Sequence, residues 1–148
     1  MKSILIAAVL LACSLSLFAA DVPDEDKIKS MTDKSLLDWN KAVQKEDFSK
    51  FYKEDCAEVW QKQVTAEKLK DSFKQYTEQK VDISSAVKDM EVTFEPEPSI
   101  ETTGDYDVLT VKGSYDTKPS RLSFQLKYIE EEDEWKLVAV NVKLKAED

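Results

Sequence analysis

The sequence predicts an α+β fold, with N-terminal helices packed on one face of a curved antiparallel sheet of four strands. Three observations carry that expectation. Apolar residues recur at helical spacing through the first half, and no proline or glycine falls between Asp24 and Phe94. From Met90 the apolar period changes to two. Near the C-terminus, RLSFQLKYIEEEDEWKLVAVNVKL sets two alternating stretches around an acidic tip that contains no glycine, the pattern of a long hairpin.

Taken in order, Ile28, Met31, Leu36, Trp39 and Val43 mark a first helix over residues 24–45. Asp47 is a good N-cap for EDFSKFY, in which Phe48, Phe51 and Tyr52 share one face. Asp55 and Glu58 have the spacing of a capping box before Val59 and Trp60. Thr65 caps a helix that buries Leu69, Phe73 and Tyr76, with Val64 at the staple position. The first strand is expected over residues 90–94, where Met90, Val92 and Phe94 alternate with polar residues. Pro96 and Pro98 cannot donate to a ladder, so that strand lies at an edge or leaves the sheet. Gly104 marks a turn into a second strand over residues 106–115, with Gly113 a bulge or a point of close approach. After the DTKPS turn, Leu122, Phe124, Leu126 and Tyr128 line one face of a third strand. The fourth, residues 135–144, is apolar on both faces, with Val138, Val140 and Val142 against Leu137 and Ala139.

At 148 residues the chain suits one domain. Residues 1–20, MKSILIAAVLLACSLSLFAA, hold one lysine and no acid and read as a cleaved export signal, which leaves the domain as residues 21–148. Cleavage after Ala20 places Phe18 where a small residue is preferred. The stretch LLAC offers an alternative, a bacterial lipoprotein box with Cys13 as the lipidated residue and the protein anchored to a membrane. The apolar run continues past Cys13, so the expectation is a soluble secreted or periplasmic protein.

The formal net charge is −9, and loss of Lys2 with the leader makes it one unit more negative. Such a balance repels nucleic acid and anionic membranes, so nucleic acid is not an expected partner, nor is a membrane unless Cys13 carries a lipid. After leader removal Cys56 stands alone, so no intramolecular disulfide is possible and stability must come from a packed core.

The chain has no histidine, which removes imidazole catalysis and imidazole metal ligation together. Cys56 has no histidine to activate it and reads as a small buried thiol. There are no paired CxxC motifs, phosphate-cradling glycine loops or H-E-x-x-H, so no cofactor or metal is expected. The acidic tip reads as a solvated turn without the ligand spacing of a calcium site. Asn40 sits within the apolar stripe of the first helix, where its amide either bonds another element or faces a cavity. Trp39, Trp60, Tyr76 and Tyr128, with Asn40, could line an apolar pocket with polar tips; the alternative is ordinary core.

The order LLDWNKAVQKEDFSKFY, VTAEKLKDSFKQY and FQLKYIEEEDEWKLVAV resembles the nuclear transport factor 2-like superfamily. The spacing of Ala42 and Asp47 and the terminal Trp135-Lys136-Leu137 carry the likeness, which spans nearly all of the mature chain. It implies a bent sheet and helices enclosing a conical cavity, and it is closest to small exported members without an assigned function. Ketosteroid isomerases and related cyclases use this fold with an aspartate base and neutral donors in the cone. Here the position resembling the donor tyrosine is Trp39, and CAEVWQKQ, where the base would lie, holds only Glu58. The resemblance therefore implies a non-catalytic module for a small apolar ligand or a protein partner. A small lyase or isomerase is the first alternative and a structural dimerisation domain the second. A homodimer through the sheet is expected, because a last strand apolar on both faces would leave a stripe uncovered.

Overall fold

The computed structural model describes residues 20–146, so Cys13 and all of the expected export signal but Ala20 lie outside the described residues. The Asp24 side chain accepts from Lys27 N–H at 2.8 Å and starts α1, Glu25–Lys45. Glu25 and Asp26 in its first turn and Lys45 in its last complement the helix dipole. Glu46 ends it in the left-handed region, with its N–H returned to the last-turn carbonyls. One face of α1 buries Ile28, Thr32, Ser35, Leu36, Trp39, Asn40 and Val43.

Short helices follow: α2 (Ser49–Glu54), α3 (Glu58–Gln61), α4 (Ala66–Ser72), α5 (Lys74–Glu78) and α6 (Ser84–Asp89). The N-cap of α2 is Phe48, one residue later than expected, and Asp47 before it accepts from the backbone N–H and the hydroxyl of Ser49. Thr65 caps α4 as expected, accepting from Lys68 N–H. Two further sequence expectations are corrected here. The long helix after Thr65 breaks at Phe73 into α4 and α5, and both Phe73 and Tyr76 then pack their rings on Trp39. Asp55 does not cap α3. The Glu58 N–H donates instead to the Glu131 carboxylate of the acidic tip, at 2.8 and 3.1 Å to its two oxygens.

The sheet is antiparallel and has five strands where four were expected: β1 (Thr93–Phe94), β2 (Ser99–Thr103), β3 (Tyr106–Tyr115), β4 (Ser120–Glu131) and β5 (Glu134–Ala146). The proposed strand over residues 90–94 keeps only its last two residues in the ladder. Prolines 96 and 98 interrupt the edge, and the chain re-enters as β2, so β1 and β2 pair with opposite ends of β3. Gly104, at φ 60°, makes the tight turn between β2 and β3. At the tip of the last hairpin, Glu132 and Asp133 both have positive φ, the geometry of a two-residue type I′ turn built without glycine.

The inner face of the sheet carries Leu109, Val111, Leu122, Phe124, Leu126, Tyr128, Leu137 and Val142 against the helices. A bulge resolves the two-faced look of β5. Tyr128 pairs with Leu137 but Lys127 pairs with Ala139, so Val138 is an extra residue and the inward phase switches there. Leu137 lies inward before the bulge, and Val140 and Val142 lie inward after it, opposite Leu126 and Phe124. The apolar stripe expected on the outside is therefore not formed, and the sheet-mediated homodimer loses that basis. Below the bulge the outward positions of β5 are Ala139, Asn141, Lys143 and Lys145.

Candidate functional site

The proposed pocket residues converge on the core and do not open a cavity. Trp39 is fully enclosed, with Phe73 and Tyr76 edge-on to its ring at centroid distances of 5.5 and 5.3 Å. Tyr76 sends its hydroxyl to the Val142 carbonyl, and burial raises its pKa. Tyr128 is buried on β4, 2.8 Å from the Ser35 hydroxyl, and burial holds its phenol well above the usual range. Asn40 accepts from Ile83 N–H at 2.8 Å and donates to Asp82 at 3.2 Å, which fastens α1 to the entry of α6. Trp60 is half-buried on the short α3. None of these five residues lines any of the described hollows.

Some interior polar atoms have no partner among the described residues: Thr32 Oγ1, Asp33 Oδ1, Trp39 Nε1 and Tyr115 OH. Asp33 binds Lys29 through its other oxygen at 2.6 Å. Burial, then the charge of Asp33, pushes the Tyr115 phenol far up. A carboxylate and a tyrosine hydroxyl thus reach the interior from α1 and β3. The sequence reading missed both, although Tyr115 alternates in phase with Leu109 and Val111 and so announces an inward ring.

A second cluster lies where α1 meets the end of α2. Lys34 Nζ is 2.6 Å from Asp55 Oδ1 and 2.8 Å from Asp38 Oδ2. Asp55 is buried, and its backbone carbonyl accepts from Leu137 N–H at 2.8 Å, which pins the segment to the free edge of β5. Burial raises the Asp55 carboxyl to about 6; the hydrogen bond from Lys34 opposes this, and Asp38 reinforces it. Burial, then the charge of Asp55, pushes the neighbouring Cys56 thiol to about 12, so it is held as an inert thiol. Alongside runs a hollow of about 240 Å³ that mixes lysines 41, 45 and 50 with Asp47 and Glu54.

The outer face of the sheet holds two further hollows, of about 410 and 250 Å³, which share Lys112 and Gln125. Among the described residues no group of histidine, cysteine and carboxylate side chains is arranged to hold a metal, and no helix is long and apolar enough to cross a membrane.

The fold therefore defines an α+β protein with helices on one face of a curved five-stranded antiparallel sheet. No protein-family model matches the sequence, and no curated protein matches it either.

Proposed function

We propose that the chain is an exported, single-domain interaction module on a nuclear transport factor 2-like scaffold, with a filled interior and no catalytic role. The observation that carries this reading is Trp39, fully buried with Phe73 and Tyr76 edge-on to its ring, so that the interior which the resemblance implies as a cone is occupied by side chains. An apolar ligand there would have to displace Trp39, Phe73 or Tyr128, each of which already supplies close-packed contacts. Binding is then left to the outer surfaces.

Thermal unfolding against a panel of lipids and steroids tests the reading. No ligand should move Tm by more than about 1 °C, since saturating binding at a hundred times Kd would add about 2.7 kcal/mol and several degrees. A reproducible shift of several degrees would overturn it.

The lyase or isomerase reading stays as the second one, favoured by the buried Asp33 Oδ1 and Tyr115 hydroxyl. It requires that an apolar ligand raise Tm, and that Tyr115→Phe abolish the shift while leaving the fold intact.

A further inference from the structure

We propose that the outer face of the sheet binds an acidic polysaccharide, a polymer bearing carboxylate or sulfate groups among hydroxyls. This rests on the interaction-module reading and gives that module a partner class. The ladder fixes the surface. Across β3 and β4 the outward pairs are Thr110 with Lys127, Lys112 with Gln125, and Ser114 with Ser123. Across β4 and β5 they are Gln125 with Asn141, Ser123 with Lys143, and Arg121 with Lys145. Their neighbours along each strand, Val111, Leu126 and Val142 among them, are the buried inward set.

Three properties of this face point to a polyanion. The outward positions in these pairs carry Lys112, Arg121, Lys127, Lys143 and Lys145 and no carboxylate, in a chain whose net charge is −9. None of the five makes an ion pair within 4.0 Å among the described residues; helix lysines such as Lys41 and Lys45 share that state, so what sets this face apart is that its unpaired cations stand together on adjacent strands. The face is also dished. The larger hollow is lined by Lys112, Arg121 and Lys143 with Glu95 as its only carboxylate, and the smaller extends it past Lys127 toward Glu97 and Glu101.

Long-range repulsion from the acidic remainder is screened over about 8–10 Å at ordinary salt, so the local sign of the face governs contact. Neighbouring strands lie about 4.8 Å apart and alternate residues about 6.7 Å apart, so the cations recur every ~5–10 Å, suited to a chain of regularly spaced anions. The residues between them choose among polyanions. Ser114, Ser123, Gln125, Asn141 and Thr110 both donate and accept, which matches sugar hydroxyls. There is no outward aromatic ring on these pairs to stack bases and no apolar wedge to enter a lipid surface.

The test is fluorescence anisotropy of labelled heparin fragments with the purified protein at 50 and 200 mM NaCl. Binding is expected and should weaken as salt rises. Lys112→Gln/Arg121→Gln/Lys143→Gln should lose about tenfold or more in affinity at the lower salt, as should Asn141→Asp, which adds a carboxylate and removes no cation. Lys41→Gln/Lys45→Gln/Lys50→Gln makes the same charge change on the helices and should shift affinity less than about twofold. Equal losses in the two triple variants, or no heparin binding at either salt, would overturn the assignment. Tighter binding to duplex DNA or to anionic phospholipid vesicles than to heparin would overturn the partner class. If heparin fails and apolar ligands also leave Tm unchanged, only this face is wrong. An apolar ligand that raises Tm overturns the underlying reading whether or not heparin binds.

Discussion

Gly113 faces Phe124 across the β3–β4 ladder with no room for a methyl group: a Cβ on Gly113 would stand 2.6 Å from Phe124 Cζ and 2.9 Å from the Thr93 carbonyl. The glycine is a point of close approach, and no bulge forms at it. Phe124 fills the space this creates, near Tyr115 and Phe94 at centroid distances of 5.9 and 6.5 Å. Phe124→Ala should therefore cost about 3–5 kcal/mol in chemical denaturation. Gly113→Ala should cost about 1–3 kcal/mol through overpacking. In Gly113→Ala/Phe124→Leu the two losses should fall short of additive, because a smaller side chain relieves one of the two clashes. Strict additivity would show that the pair does not share the space.

Asn40 joins two helices that the sequence keeps far apart. Asn40→Ala leaves the buried Ile83 N–H without its acceptor, and about 1–3 kcal/mol of stability should be lost. Asn40→Asp keeps an acceptor for Ile83 but sets a second carboxylate against Asp82, whose own pKa is lowered by hydrogen bonds from Ser84 and then Asn40. Stability of that variant should recover as pH falls below the carboxylate range. A pH-independent deficit would show that the amide matters only through packing.

The hairpin tip predicts a gain. Glu132 and Asp133 hold φ of 51° and 65°, a region that costs non-glycine residues roughly 1–2 kcal/mol each. Asn at the first position and Gly at the second suit a type I′ turn, so Glu132→Asn/Asp133→Gly should raise stability by about 1 kcal/mol or more. Glu131 must stay, since its carboxylate serves the N-terminus of α3; Glu131→Gln should lose part of what the turn gains. Equal stability of the turn variant and the natural chain would mean that the two acids relax without strain.

How far these relationships were legible follows from their range along the chain. The α1 stripe and the Leu122–Tyr128 face obey simple periods, so they could be read directly. β2 escaped because Ile100 is its one apolar residue and its other side chains are exposed. The helix α6 escaped because its signals are the buried Ala86 and Val87 within a single turn, and an Asp82–Ser84 contact that resembles any polar loop. The Val138 bulge defeats a period-two reading by design: one extra residue turns an apparent two-faced strand into two one-faced segments. A buried aromatic set reads the same whether it packs or lines a cavity, so Trp39 and Tyr128 could not be placed from sequence. The cations of the outer face were visible at alternate positions from Arg121 to Lys127, but a net charge sums them away.

The Lys34–Asp55 contact predicts a pH dependence with a definite sign. Burial of Asp55 raises its carboxyl from 3.8 to about 6, so the neutral acid is what the folded state favours. Its contribution to stability is fully present below pH 3.8 and is lost as pH rises through about 6. The partner's behaviour looks contrary but has the same origin. Burial pulls the Lys34 pKa down, while hydrogen bonds to Asp38 and Asp55 together raise it above the usual lysine range. One exposed cation thus serves two acids, and the buried acid bears the desolvation. The lysine's own contribution is lost only at strongly alkaline pH, outside this window. Chemical denaturation from pH 4 to pH 7 should therefore show the natural chain losing on the order of 2–3 kcal/mol relative to Asp55→Asn, which cannot ionise yet still offers Lys34 an oxygen. Asp38→Asn should shrink the loss by removing the competing charge and lowering the Asp55 pKa toward its ordinary value. A natural chain that gains stability relative to Asp55→Asn as pH rises would mean that Lys34 outweighs burial and that the ion pair is net stabilising.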